Sequence, residues 1–155
     1  MTTNVNRFFV IVTSLIVFCL SGCVKADNTE LADGDFASAT IGHEVYSLEA
    51  AKSSEARAKG LSGRDQLDNN SGMLFIFDSY DYHSFWMKDT HFTLEIIWLD
   101  ENFTVVDKKV MVVENDPANP VASYTPQSPA SYAIEIKPIN DIDGIQIGEK
   151  VEISY

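Results

Sequence analysis

The chain has 155 residues, a length that suits one ordinary domain once any targeting segment is set aside. Its 23 acidic and 11 basic residues give a formal net charge of −12 at pH 7. Nucleic acid and anionic lipid headgroups repel so acidic a domain, and the composition therefore excludes nucleic-acid binding as its role.

The first predicted element is an export signal. A nearly continuous apolar stretch, residues 8–20, follows a single positive charge at Arg7. This stretch is shorter than the roughly 20 residues that a helix needs to cross a bilayer, and small residues come directly after it. The pattern predicts a secretory signal peptide rather than a membrane-spanning helix.

The end of this signal, Leu20-Ser21-Gly22-Cys23, resembles the lipobox of bacterial lipoproteins. The resemblance implies cleavage after Gly22 and a lipid on Cys23, whose acyl chains would hold the protein at a membrane. Val24 rather than Asp follows the cysteine, which in a Gram-negative source implies the periplasmic face of the outer membrane. Cys19 would leave with the signal, so the mature domain would have no free thiol.

Three segments follow from this interpretation. Residues 1–22 are expected to be removed as the signal peptide, and residues 23–35 to form the lipidated N-terminus and a polar, flexible tether. Residues 36–155 are expected to form one domain.

Within that domain, short apolar runs separated by turn residues predict mainly β structure. The predicted strands are 36–41, 44–48, 73–77, 84–88, 94–99, 103–113, 132–137 and 151–155. A turn at 78–81 is expected to join the third and fourth strands. Four prolines between residues 117 and 129 predict an extended loop, because proline lacks the donor that a sheet requires.

One helix is predicted at residues 52–59. Ser53 or Ser54 would provide its N-cap, and Gly60 suits the position after its last turn. Eight or so strands with one short helix favour a single all-β sandwich or barrel-like domain.

Six short motifs occur in order along this domain. They are GLSGR from Gly60, GMLF from Gly72, FWMKDT from Phe85, LEI from Leu94, YAIEI from Tyr132 and IG from Ile147. Together they resemble the bacterial and archaeal family called domain of unknown function 192. The resemblance implies a single compact β-sandwich or jelly-roll-like domain, often exported or lipid-anchored, and no established activity. Asp89 stands where the family pattern usually has Asn, and Glu95 where it usually has Asp.

The motif around Trp86 is the leading candidate for a site. Trp86 and Lys88 alternate with Met87, so they would lie on one face, beside Asp89 and Thr90. An aromatic plane next to a charged donor is typical of sites that hold sugars or other polar rings. Alternatively, Trp86 is a core residue, Lys88 pairs with a glutamate, and Asp89-Thr90 only closes a turn.

Glu95 and Glu135 form the second candidate, because each lies between apolar neighbours in a predicted strand. Carboxylates are seldom buried unless they are paired, so ion pairs with Arg64 and Lys88 are expected. Two carboxyl groups within ~10 Å in one cleft would instead suit hydrolysis of a glycosidic bond.

The three histidines, His43, His83 and His91, do not form a close metal-binding motif, and we expect no metal or other cofactor.

The leading hypothesis is therefore a non-catalytic envelope lipoprotein that binds a small polar or carbohydrate-like ligand, or a partner protein. Its alternatives are a carboxylate-dependent hydrolase that uses Glu95 and Glu135, and a membrane-tethered scaffold without a ligand. The candidate ligand-binding residues are Arg64, Trp86, Lys88, Asp89, Thr90, Glu95 and Glu135.

Overall fold

The structure, a computed structural model, describes residues 30–139 and 144–155. The predicted signal peptide, the lipidation site at Cys23 and the tether up to Thr29 lie outside the described residues. The elements in chain order are β1 (Phe36–Ile41), β2 (Glu44–Ala51), α1 (Ser54–Lys59), β3 (Ser71–Asp81), β4 (Leu94–Leu99), β5 (Val105–Met111), β6 (Ala130–Ile136) and β7 (Glu152–Ser154).

The strands form one continuous sheet in the order β5-β4-β6-β3-β2-β1-β7. Its neighbouring strands run antiparallel, except that β2 and β3 are parallel. Parallel neighbours need a crossover connection, and residues 52–70, which include α1, provide it. The expected mainly β class, with a single domain and one short helix, is confirmed.

Alternation along the strands buries a hydrophobic cluster on each face of this sheet. On β6, Ile134 and Ile136 belong to one cluster and Ala133 to the other; on β4, Ile97 and Trp98 divide in the same way. The second cluster also contains Leu61 and Leu67 of the crossover and Met87 of the loop after β3. We call the face of the sheet that these three residues cover the crossover face.

The residues that cap the helix are those that its sequence predicts. The Ser53 side chain accepts a hydrogen bond from the backbone N–H of Ala56 at 3.1 Å, and Gly60 has a φ of 50°, which favours glycine. The predicted start at Lys52 is 2 positions too early, because Lys52 still belongs to the connection from β2.

Residues assigned to the tether pack against this domain. Leu31 is only 8% exposed and belongs to a core cluster. The Asp33 carboxylate accepts hydrogen bonds from the backbone N–H groups of Lys52 and Ser53 at 2.6 and 2.9 Å. Gly34 donates its N–H to the carbonyl of Ala50 at 2.9 Å. The ordered domain therefore includes residues before Phe36.

Two elements predicted within residues 78–88 are wrong. The expected turn at 78–81 lies within β3, which continues to Asp81 after a register shift that begins at Ile76. The expected strand 84–88 is a loop in which Phe85 alone pairs, with Tyr124.

Candidate functional site

A small cavity lies on the crossover face, between the end of α1, the loop after β3 and the centre of the sheet. Its volume is about 30 Å³, which is room for roughly two water molecules. The polar residues and aromatic rings of its wall include Lys59, Phe75, Phe85, Trp86, Lys88, Thr90 and Glu135.

Glu135 lies at the inner end of this cavity because β6 is an interior strand, between β4 and β3. Its register partners are Met73 on β3 and Ile96 on β4, both buried, and Glu135 itself is 4% exposed. Among the described residues, the Glu135 carboxyl group has no hydrogen-bond or ion-pair partner. In the same residues, every side-chain polar atom that lacks a hydrogen-bond partner is accessible to solvent. The carboxyl oxygens therefore open into the cavity.

Burial controls the charge of this group. Removal from water disfavours the carboxylate and raises the pKa of Glu135 to about 8. At neutral pH the side chain is therefore mostly a neutral carboxylic acid, with one O–H donor and free acceptor lone pairs.

Trp86 is 55% exposed, so it is not the core residue that the alternative interpretation required. The Lys88 ammonium lies 5.9 Å from the centroid of the Trp86 ring. Lys88 pairs with neither Glu95 nor Glu135, and within the part of the chain that the structure describes it has no acidic partner. An open indole and an unpaired ammonium thus stand together at the mouth of the cavity.

The neighbours of Trp86 and Lys88 fix this arrangement. Phe85 packs edge-on against Phe75, with ring centroids 4.9 Å apart, and Met87 is fully buried. Backbone hydrogen bonds of 2.9 and 2.8 Å join Phe85 to Tyr124. Phe85 and Met87 point inward. Trp86 lies between them and Lys88 follows them, so both of these side chains point outward.

Asp89 and Thr90 close a turn, as the alternative interpretation expected. Asp89 has a φ of 50°, and the Thr90 N–H donates to the carbonyl of Met87 at 3.2 Å. Asn and Asp tolerate positive φ better than other residues with a side chain, so Asp89 suits this turn. Thr90 contributes to the cavity wall and Asp89 does not.

Arg64 lies outside the cavity wall as well. Its guanidinium donates to the Glu49 carboxylate on β2 at 2.7 Å. The expected ion pair of Arg64 with Glu95 or Glu135 is therefore wrong, and its charge is offset by a residue that sequence analysis did not select.

Glu95 lies on the opposite face of the sheet from Glu135. It is opposite Ile136 in the register, and its carboxylate is 3.8 Å from the Lys108 ammonium and accepts from the Ile139 N–H at 3.2 Å. Glu135 follows Ile134 and precedes Ile136, so its side chain points the other way. The two-carboxylate cleft that the hydrolase alternative needs does not form between these residues.

Four of the seven predicted site residues thus meet at one cavity: Trp86, Lys88, Thr90 and Glu135. The crossover also contributes to the cavity wall, notably through Lys59 and Leu61, and these residues were not predicted from the sequence. The GLSGR motif directly after the helix was the available signal, but its position in space depends on the parallel pairing of β2 with β3.

Within residues 30–139 and 144–155, no three His, Cys, Asp or Glu side chains are grouped so that they could hold a metal ion.

Across those same two ranges, no helix combines the length and apolar character that crossing a bilayer requires.

The sequence profile of DUF192, described as an uncharacterized ACR, matches residues 37–153. The chain belongs to this family. No curated protein matches the chain significantly.

Two solved structures share the fold. A protein of Sinorhizobium meliloti 1021, provisionally described as a transcription regulator, is 22% identical, with a TM-score of 0.67 over 79% of this chain and 96% of that one. A protein of unknown function from Novosphingobium aromaticivorans DSM 12444 is 28% identical, with a TM-score of 0.63 over 76% of this chain and 83% of that one.

Proposed function

We propose that the chain is an envelope lipoprotein whose domain binds a small polar ligand, without catalysis, at the cavity beside Trp86. The observation that carries this proposal is Glu135, a buried carboxyl group without a partner among the described residues that opens toward Trp86 and Lys88. A buried polar group costs free energy unless it forms hydrogen bonds, and a ligand would supply them.

The dimensions of the cavity limit how a ligand binds. A volume of about 30 Å³ admits one polar group of the ligand but not a sugar ring. A ring would instead lie on the open face of Trp86, which is 55% exposed, while one of its substituents enters the cavity. The ring would thus stack on Trp86 outside the cavity, and its substituent would form hydrogen bonds inside the cavity.

Binding without catalysis agrees with the composition of the cavity wall. Glu135 is the one acid among the described wall residues, and Glu95 lies across the sheet in an ion pair with Lys108. Acid/base hydrolysis of a glycosidic bond needs two carboxyl groups on one site.

Trp86→Ala and Lys88→Ala are expected to weaken ligand binding at least tenfold and to leave the melting temperature within about 2 °C of wild type, because both side chains are exposed. A screen of monosaccharides, disaccharides and small polar metabolites by thermal shift would find binders, and titration would give affinities. Tyr82→Ala, which removes an aromatic side chain that is 54% exposed, is the matched control. If both variants unfold, Trp86 and Lys88 are needed for the fold, and the binding role assigned to them is wrong.

Lipidation has its own test. The mature protein is expected to begin at Cys23, to incorporate labelled palmitate and to partition with membranes, because acyl chains bury many methylene groups. Cys23→Ala is expected to abolish labelling and leave the signal peptide attached. Mass spectrometry that finds residues 1–22 still present in the wild-type protein, with Cys23 unmodified, would remove the envelope assignment.

A further inference from the structure

The charges around the cavity differ in sign from the charge of the whole chain. The chain has a formal net charge of −12, yet Arg57, Lys59 and Lys88 all contribute to the wall. Arg57 is held by the Asp78 carboxylate at 3.7 Å and donates to the carbonyl of Ile76 at 2.9 Å.

Lys59 and Lys88 are different. Both are exposed, and neither has an acidic partner anywhere in the described ranges, although five other basic side chains there form ion pairs. Two unpaired ammonium groups at the mouth of one cavity attract an anion.

The inner end of the cavity does not oppose that attraction. Glu135 has no cationic partner among the described residues, and its register neighbours on β3 and β4 are the apolar residues Met73 and Ile96. In its neutral form it presents an O–H donor to the cavity and adds no negative charge. The ammonium groups at the mouth and the O–H donor inside all suit an acceptor that carries negative charge.

We propose that the ligand is a small organic carboxylate whose carboxylate group enters the cavity between Lys88 and Glu135 and whose planar remainder lies on Trp86. This inference rests on the proposed ligand-binding function and names the chemical class of its ligand.

Size favours a carboxylate over a phosphate. Two carboxylate oxygens match a cavity with room for roughly two water molecules, whereas a phosphate group carries four oxygens. Charge excludes an ammonium ligand, which Lys59 and Lys88 would repel.

Binding is expected to depend on pH. A neutral Glu135 donates a hydrogen bond to the carboxylate of the ligand, whereas an ionised Glu135 would repel it. The other charged groups among the described residues of the cavity wall are the cations Arg57, Lys59 and Lys88, so Glu135 is the one acid there.

Charged groups farther along the same face are already paired. Glu49 on β2 is bound by Arg64 at 2.7 Å, and on β5 the Lys109 ammonium lies 3.6 Å from the Asp107 carboxylate. Glu135 is thus the wall residue whose ionisation would add a negative charge to the cavity.

The test uses benzoate, a planar carboxylate, and the indole N–H signals of the ¹⁵N-labelled protein. The chain has two tryptophans, and Trp98 is fully buried with its N–H bonded to the His83 carbonyl at 2.9 Å, so Trp98 is an internal control. Benzoate is expected to shift the Trp86 signal and not that of Trp98.

Affinity for benzoate is expected to fall about tenfold between pH 7 and pH 9, since the pKa of Glu135 is about 8. Glu135→Gln keeps a neutral donor at this position, so it is expected to bind benzoate with an affinity that hardly changes between pH 7 and pH 9. Glu95→Gln, a buried glutamate on the opposite face, is expected to keep the wild-type pH dependence.

Comparison ligands distinguish the possible failures. Tighter binding of benzylamine, benzyl alcohol or inorganic phosphate than of benzoate would overturn the carboxylate assignment and leave the proposed function standing. A pH-independent affinity of the wild-type protein for benzoate would overturn the role of Glu135. A Trp86 signal that responds to none of these compounds, nor to any binder from the thermal-shift screen, would overturn both proposals.

Discussion

Glu135→Gln is expected to make the domain markedly more stable than wild type at pH 8.5 and nearly as stable at pH 4.5. The pKa of Glu135 rises from an ordinary value of 4.5 to about 8 on folding, because burial disfavours the charged form. Between these values the folded state holds a proton that the unfolded state has released. Stability therefore declines as pH rises through this window, by an upper limit of about 5 kcal/mol.

Urea unfolding at pH 4.5, 6.5 and 8.5 measures this effect. The wild-type free energy of unfolding is expected to fall across the series, and that of Glu135→Gln to fall much less. Glu152→Gln, at an exposed position in β7, controls for the general loss of one negative charge. Parallel pH profiles for wild type and Glu135→Gln would show that Glu135 ionises normally in the folded protein.

Gly72→Ala is expected to destabilise the domain by about 3 kcal/mol or more, since overpacking a well-packed interior strains the backbone. Gly72 lies in β3, between β2 and β6. A Cβ atom at this position would lie 2.3 Å from the backbone oxygen of Glu135, 2.7 Å from Ile136 Cγ2 and 2.9 Å from Leu48 Cδ2. These distances explain structurally why the GMLF motif begins with glycine.

Gly63→Ala is the matched control for that substitution. A Cβ atom there would meet nothing within 4 Å, so only the positive φ of 75° opposes alanine, at about 1 kcal/mol. Urea unfolding of both variants gives the comparison. Equal losses of stability would mean that β3 can move away from β6 without cost, contrary to the packing described.

Much of the site follows from alternation within single strands. Successive side chains of a strand point to opposite faces, and in β6 this places Glu135 on the face opposite to Ile134 and Ile136. The same pattern does not determine whether residues of two different strands lie on the same face of the sheet. The register between β4 and β6 decides this. Because Glu95 is opposite Ile136, it lies on the face of the sheet that Glu135 does not share.

The FWMKDT motif shows a different limit. Phe85 and Met87 alternate with exposed Trp86 and Lys88, as residues of a strand would, and this alternation made a strand the natural prediction. Periodicity reports which side chains are buried, whereas a strand also needs a partner with free backbone groups. Here Phe85 alone finds one, in Tyr124, so the segment is a loop with the burial pattern of a strand.

The parallel pairing of β2 with β3 has a consequence for how such domains diverge. It requires residues 52–70 to pass over one face of the sheet, and this connection forms one side of the cavity, while Glu135 in the sheet forms the base. Connections tolerate substitution and insertion better than paired strands do. Changes confined to residues 52–70 can thus reshape one side of the cavity, while the seven strands keep their register and Glu135 stays at the base.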